Sequence, residues 1–140
     1  MTLSEQASNV NWLMANFVRA TPGVEQAIAV SSDGLLIAMS TDIDRASADK
    51  LAAIITGMRA LAHGASSELG KGPVAQVLVE MANAYLFVSA ISGGSTLGVV
   101  TRRTCDLGLV GYEITLLVER VGPQLTPSLV TELKNSLVAV

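Results

Sequence analysis

With 140 residues, the chain has room for one domain and one core, and its single site is to be sought in that unit. Half of the residues are hydrophobic and only 15% are charged, against roughly 25% in an average soluble domain, so some apolar surface is expected to be buried against another chain. Nine basic residues against twelve acidic ones give a net charge of −3 with no Lys/Arg block, which argues against nucleic acid as a partner.

The opening MTLSEQASNV has neither a basic region nor an apolar run of the kind a secretory signal needs. Arg59, Glu80 and Glu113 interrupt the most apolar stretches before any reaches the roughly 18 residues of a membrane span. A soluble, cytoplasmic protein without membrane insertion is expected, and the lone Cys105 agrees with a reducing compartment.

Val10, Leu13, Met14, Phe17 and Val18 recur at helical spacing until Thr21-Pro22-Gly23 breaks the pattern, which gives helix one. VEQAIAV from Val24 and LLIAMS from Leu35 flank an Asp33-Gly34 turn and read as a hairpin. A run without proline from Arg45 to Leu69 is helix two, ended by Gly70-Lys71-Gly72-Pro73; Asp42 and Asp44 before it fit the task of capping. Three further strands follow at Val74 to Met81, Ala84 to Ile91 and Thr96 to Thr101. The middle one is apolar on both faces, so helices are expected on both sides of the sheet.

Helix three runs from about Asp106 to Arg120, where Leu109, Tyr112, Leu116 and Glu119 or Val110, Ile114, Leu117 and Val121 give a broad apolar face. Thr126-Pro127 then opens a terminal helix with a stripe of Leu129, Val130, Leu133 and Leu137.

This order, the hairpin carrying VSSDGLLIAMS, the long helix after it and the LGLVGYEI opening of helix three resemble the roadblock/dynein light-chain family, in particular its bacterial members of actinobacterial and gliding-motility type. The resemblance covers about Leu3 to Val121, so residues 1–122 are assigned to a roadblock-type domain and 123–140 to a C-terminal helical extension. It implies an α+β fold, a five-stranded antiparallel sheet between helices in the order αββαβββα. It also implies pairing through helix two and the neighbouring edge strand, and binding or regulation of a small GTPase.

No catalytic constellation accompanies this pattern. His63 is the single histidine and sits in mid-helix, Cys105 has no matching base, and one His with one Cys makes no zinc site. No G-x-x-x-x-G-K-[ST] is present, so the chain is not itself a P-loop GTPase, and Ser92-Gly93-Gly94-Ser95 reads as a turn between strands. Neither catalysis, nor a metal, nor a cofactor is expected.

At 100° per residue, Leu51, Ile54, Ile55, Met58, Leu61, Ala62, Ala65 and Leu69 fall on one side of helix two, assigned to its own sheet. Ala53, Gly57, Ala60 and Gly64 form a ridge of small residues on the opposite side, where a wetted face would carry Lys and Glu. Each mid-helix glycine costs about 1 kcal/mol relative to Ala, which close approach of a second helix offsets. A homodimer interface of Ala53, Gly57, Ala60 and Gly64, with Val77 and Val79 on an adjoining strand, is therefore expected. Arg59 and His63 beside the ridge, and Arg102 and Arg103 ahead of helix three, are candidate contacts for the GTPase that the resemblance implies. The function expected is a non-catalytic homodimeric regulator or scaffold in signal transduction, with promotion of GTP hydrolysis left open; a small-ligand sensor domain is the alternative.

Overall fold

A side-chain oxygen starts each of the four helices in the computed structural model, which describes residues 3–40 and 43–138. Ser4 Oγ accepts from the Ala7 amide ahead of α1 (Glu5–Ala20), and Asp44 Oδ1 accepts from Ser47 at 2.8 Å ahead of α2 (Arg45–Leu69). Asp106 Oδ1 accepts from Leu109 ahead of α3 (Leu107–Val121), and Thr126 Oγ1 from Leu129 ahead of α4 (Pro127–Val138). Each cap satisfies an amide that has no partner within its helix, which is worth about 1 kcal/mol. The backbone amide and hydroxyl of Ser47 hold the Asp44 carboxyl below its ordinary pKa, as capping requires; Asp42 lies outside the described residues.

Strands β1 (Val24–Val30), β2 (Leu36–Met39), β3 (Gln76–Glu80), β4 (Ala84–Ala90) and β5 (Thr96–Arg102) form one antiparallel sheet in the order β2-β1-β5-β4-β3. Gly34, at φ 85°, turns the β1–β2 hairpin. The expected α+β architecture is the one found. α1, α3 and α4 pack Val10, Met14, Phe17, Val110, Ile114 and Leu133 on one side, while α2 packs Ala48, Ala52 and Ile55 on the other. Of the two faces offered by α3, Val110, Ile114, Leu117 and Val121 are the buried set.

Gly98 in β5 sets how α2 lies. A Cβ there would collide with Ile55 Cδ1, so the missing side chain lets Ile55 press onto the middle of the sheet. Small Ala48 and Ala52 keep the rest of the contact equally close, and all three residues are fully buried.

The two edges of the sheet differ. β2 lies against α4, which sends Leu133 into the core under α1 and Leu137 to the core under α2, so that helix bridges both layers at this edge. Polar contacts fasten it: Lys134 Nζ meets Asp33 at 2.9 Å, Arg45 Nη1 donates to Leu137 O at 2.7 Å, and the Ser4 amide donates to Glu132 at 2.6 Å. At the opposite edge, β3 has no further strand beside it among the described residues. One edge is thus guarded and the other left able to pair.

Asp33 is pulled down to about 2, first by the Ser31 hydroxyl and then by Lys134. A depressed carboxylate pKa favours the fold above its unfolded value near 3.8 and loses that contribution as pH falls through about 2. The exposure of the pair keeps its effect on global stability small. Lys134→Ala is expected to raise the Asp33 pKa only part of the way and Ser31→Ala to raise it further, as read by carboxyl-carbon NMR titration.

Candidate interaction surface

α2 spans 25 residues, about 37 Å at 1.5 Å per residue, and its buried contacts all fall in its first half. Its sheet-facing residues are Ala48, Ala52 and Ile55, with Leu51, Met58, Arg59 and Ala62 half-buried. This corrects the inner face expected from the sequence, because Ile54, Leu61, Ala65 and Leu69 are exposed. The cause is the close approach at Gly98: alanines fill the narrow gap, and the line of contact rotates away from the larger side chains. Leu61 is 79% exposed and Ile54 55%, so the outer face of α2 carries large apolar groups as well as small ones.

Ala53, Gly57, Ala60 and Gly64 are all exposed on that outer face, as the spacing predicts. A Cβ added at Gly57 or Gly64 would meet nothing within 4 Å, so neither glycine is needed for packing within this chain. Ile54 and Leu61, one heptad apart, flank the glycines on one side and Ala53 with Ala60 flank them on the other. The result is a shallow apolar trough two turns long. Sequence periodicity alone had assigned Ile54 and Leu61 inward, yet their i, i+7 spacing beside a glycine pair was the signal that could have placed them outward.

Val77 and Val79 of β3 are half-buried and point to the α2 side of the sheet, packing on the same core as Ile55. Leu78, on the opposite face of β3, is 47% exposed, and Met81 just past the strand is exposed too. β3, whose outer edge is open, is thus in contact with α2 through its Val77 and Val79 face.

The four candidate contact residues fall in two places, Arg59 and His63 on α2 and Arg102 with Arg103 at the end of β5. Arg59 is half-buried, and its Nη1 donates to Gly94 O, Ser95 O and Thr96 Oγ1 at 2.7, 2.8 and 2.6 Å. His63, one turn further along α2, is exposed and, together with Arg59, lines a cleft beside the β4–β5 turn. Arg103 pairs with Glu80 at 2.5 Å and lies 4.6 Å above the ring of Tyr85, which ties the end of β5 to β3 and β4. Arg102 ends β5, where its amide donates to Gly23 O, and its side chain is exposed. The strand thus runs one residue beyond the Thr101 at which the sequence pattern ends it, and takes in Arg102. Cys105 is half-buried and donates to Thr101 Oγ1 at 3.3 Å. Among the described residues, no three His, Cys, Asp or Glu side chains gather as a metal site, and no helix is long and apolar enough to cross a membrane.

The Roadblock/LC7 domain family matches residues 10–101, and the chain belongs to it. The crystal structure of a Roadblock/LC7 domain from Streptomyces avermitilis is 37% identical, with a TM-score of 0.78 over 82% of this chain and 96% of that one. Myxococcus xanthus MglB has the same TM-score at 20% identity, over 92% of this chain and 96% of its own. The gliding protein MglB of Thermus thermophilus reaches 0.76 at 17% identity, over 89% and 96%, and these two likenesses establish the fold alone. No curated protein sequence matches the chain.

Proposed function

We propose that the chain is a cytoplasmic, non-catalytic homodimer that docks a Ras-like small GTPase on its paired α2 helices. The observation that carries the first half is the outer face of α2: two glycines that its own fold does not use, set among exposed Ile54 and Leu61. Burying such a trough against its twofold copy removes apolar surface from water, and the glycines allow the helix axes to come close. Pairing of β3 with its copy would satisfy the open edge in the same act.

Membership of the Roadblock/LC7 family supports a GTPase as the partner, and helices paired in this way would give it a platform. An adaptor of this kind needs no chemistry of its own. Preferential binding of one nucleotide-bound conformer is sufficient to shift a switch protein between states, or to order its catalytic residues.

Sedimentation of the purified protein at tens of micromolar, followed by pull-down of the small GTPase encoded nearest to its gene, tests both halves. A monomer would remove the platform, and a dimer indifferent to the GTPase in either nucleotide state would remove the partner. The protein alone is expected neither to bind nor to hydrolyse GTP, because it has no phosphate loop and no paired nucleophile and base. Equilibrium dialysis with labelled GTP checks this, and stoichiometric retention would contradict it.

A further inference from the structure

Arg59 lies in a cleft of about 400 Å³ formed where α2 meets the β1–β2 and β4–β5 turns, with Ser31, Ser32, Thr56, His63 and Gly94 among its walls. Its Nη1 is committed to this chain by the three acceptors of the β4–β5 turn. That anchorage fixes the plane of the guanidinium. The remaining Nε–H and one Nη2–H lie parallel along one edge, the two-pronged donor that matches a carboxylate.

Among the described residues, neither Nε nor Nη2 of Arg59 makes a hydrogen bond. The ion pairs there are Arg45–Asp49, Arg103–Glu80 and Lys134–Asp33, and none involves Arg59. Asp33, beside the cleft residue Ser32, is already taken by Ser31 and Lys134. A half-buried guanidinium is therefore balanced only by carbonyl and hydroxyl dipoles, with its recognition edge unspent.

We infer that this cleft receives an acidic side chain, an Asp or Glu of the docked protein, on the free Nε–Nη2 edge of Arg59. The inference rests on the docking of a partner at α2, since Ala60 of the ridge and His63 line the cleft as well. A phosphate group suits it less: a doubly charged anion calls for several cations or amides, and Arg59 is the one Lys or Arg in the described wall. The fork also requires arginine, because a lysine ammonium offers a point charge without the paired geometry.

Arginine side-chain NMR of the wild-type protein, titrated with sodium acetate, inorganic phosphate and sodium chloride, tests the chemistry directly. The Arg59 Nε–H is expected to shift saturably with acetate, several-fold more than those of exposed Arg102 and Arg120. His63→Glu, which places a carboxylate one turn away on the same helix, is expected to abolish that response without touching the Nη1 bonds. Equal responses from all three arginines overturn the inference, as does saturation by phosphate at lower concentration than acetate.

Titration with the GTPase then separates the two levels. Arg59→Lys is expected to weaken its binding about tenfold or more, a loss of about 1.4 kcal/mol or more. Undiminished binding by Arg59→Lys overturns the acidic-contact inference and leaves docking intact. A wild-type protein that ignores the GTPase while its Arg59 responds to acetate overturns docking and leaves the cleft's chemistry standing.

Discussion

Gly57→Leu is expected to split the dimer while making the separated chain more stable. Nothing lies within 4 Å of a Cβ at Gly57, and the position is exposed, so the substitution starts from open space within its own fold. Replacing a mid-helix glycine by leucine should contribute roughly 0.5–1 kcal/mol to the isolated helix through propensity alone. Across a close helix pair the same side chain overpacks, at a cost of about 1–3 kcal/mol for each copy that enters the contact. Both copies are altered at once, so the dimerisation constant should weaken by roughly a hundredfold, at about 1.4 kcal/mol for each factor of ten. Sedimentation across a concentration series, paired with thermal unfolding, checks the two effects together. An unfolding temperature that falls along with the dimer would mean that Gly57 serves the fold, and an undisturbed dimer would place the contact elsewhere.

Leu133→Ala should have the largest effect on the fold itself. Leu133 is fully buried, and its helix bridges the two layers at the β2 edge. Removing the three distal carbons leaves a cavity in a core that cannot simply close, because α1 and α3 are packed there against the sheet. A loss of about 2–5 kcal/mol is expected, the range for leucine truncation at a buried site. For a chain of this size that is a large share of a total stability of roughly 5–15 kcal/mol. Urea unfolding measures it, with the midpoint as the sensitive quantity. A loss below about 1 kcal/mol would mean that α4 is an appendage lying on a core complete without it.

Most of the fold was legible because its punctuation is local. Asp33-Gly34, Gly70 with Pro73, and Thr126-Pro127 mark ends that backbone chemistry imposes whatever surrounds them. The nearly unbroken apolar run AYLFVSAI announced a strand covered on both faces, and it is the second strand from an edge with helical layers above and below. The strand order was a different matter. That β5 lies between β1 and β4, leaving β3 open, depends on contacts between segments far apart in sequence and is seen only in the folded chain.

The candidate surface was half legible. Small residues at 53, 57, 60 and 64 were visible as a ridge because glycine in mid-helix has a cost that local structure does not repay. Ile54 and Leu61 were misassigned because periodicity ranks side chains by size and hydropathy. The true contact line of α2 is chosen by how closely Gly98 lets Ile55 approach, a property of another segment. Arg59 was similarly half seen: its position beside the ridge could be counted along the helix, but its anchorage to Gly94, Ser95 and Thr96 needed the folded turn.

Calorimetric titration of wild-type and Gly57→Leu protein with the GTPase, loaded in turn with GDP and with a GTP analogue, tests the central claim most directly. Wild-type protein is expected to bind with affinities that differ between the two nucleotide states, and the monomeric variant to lose that binding because the platform exists only in the pair. Equal binding by dimer and monomer, or absence of binding by the wild-type dimer in both states, would contradict it.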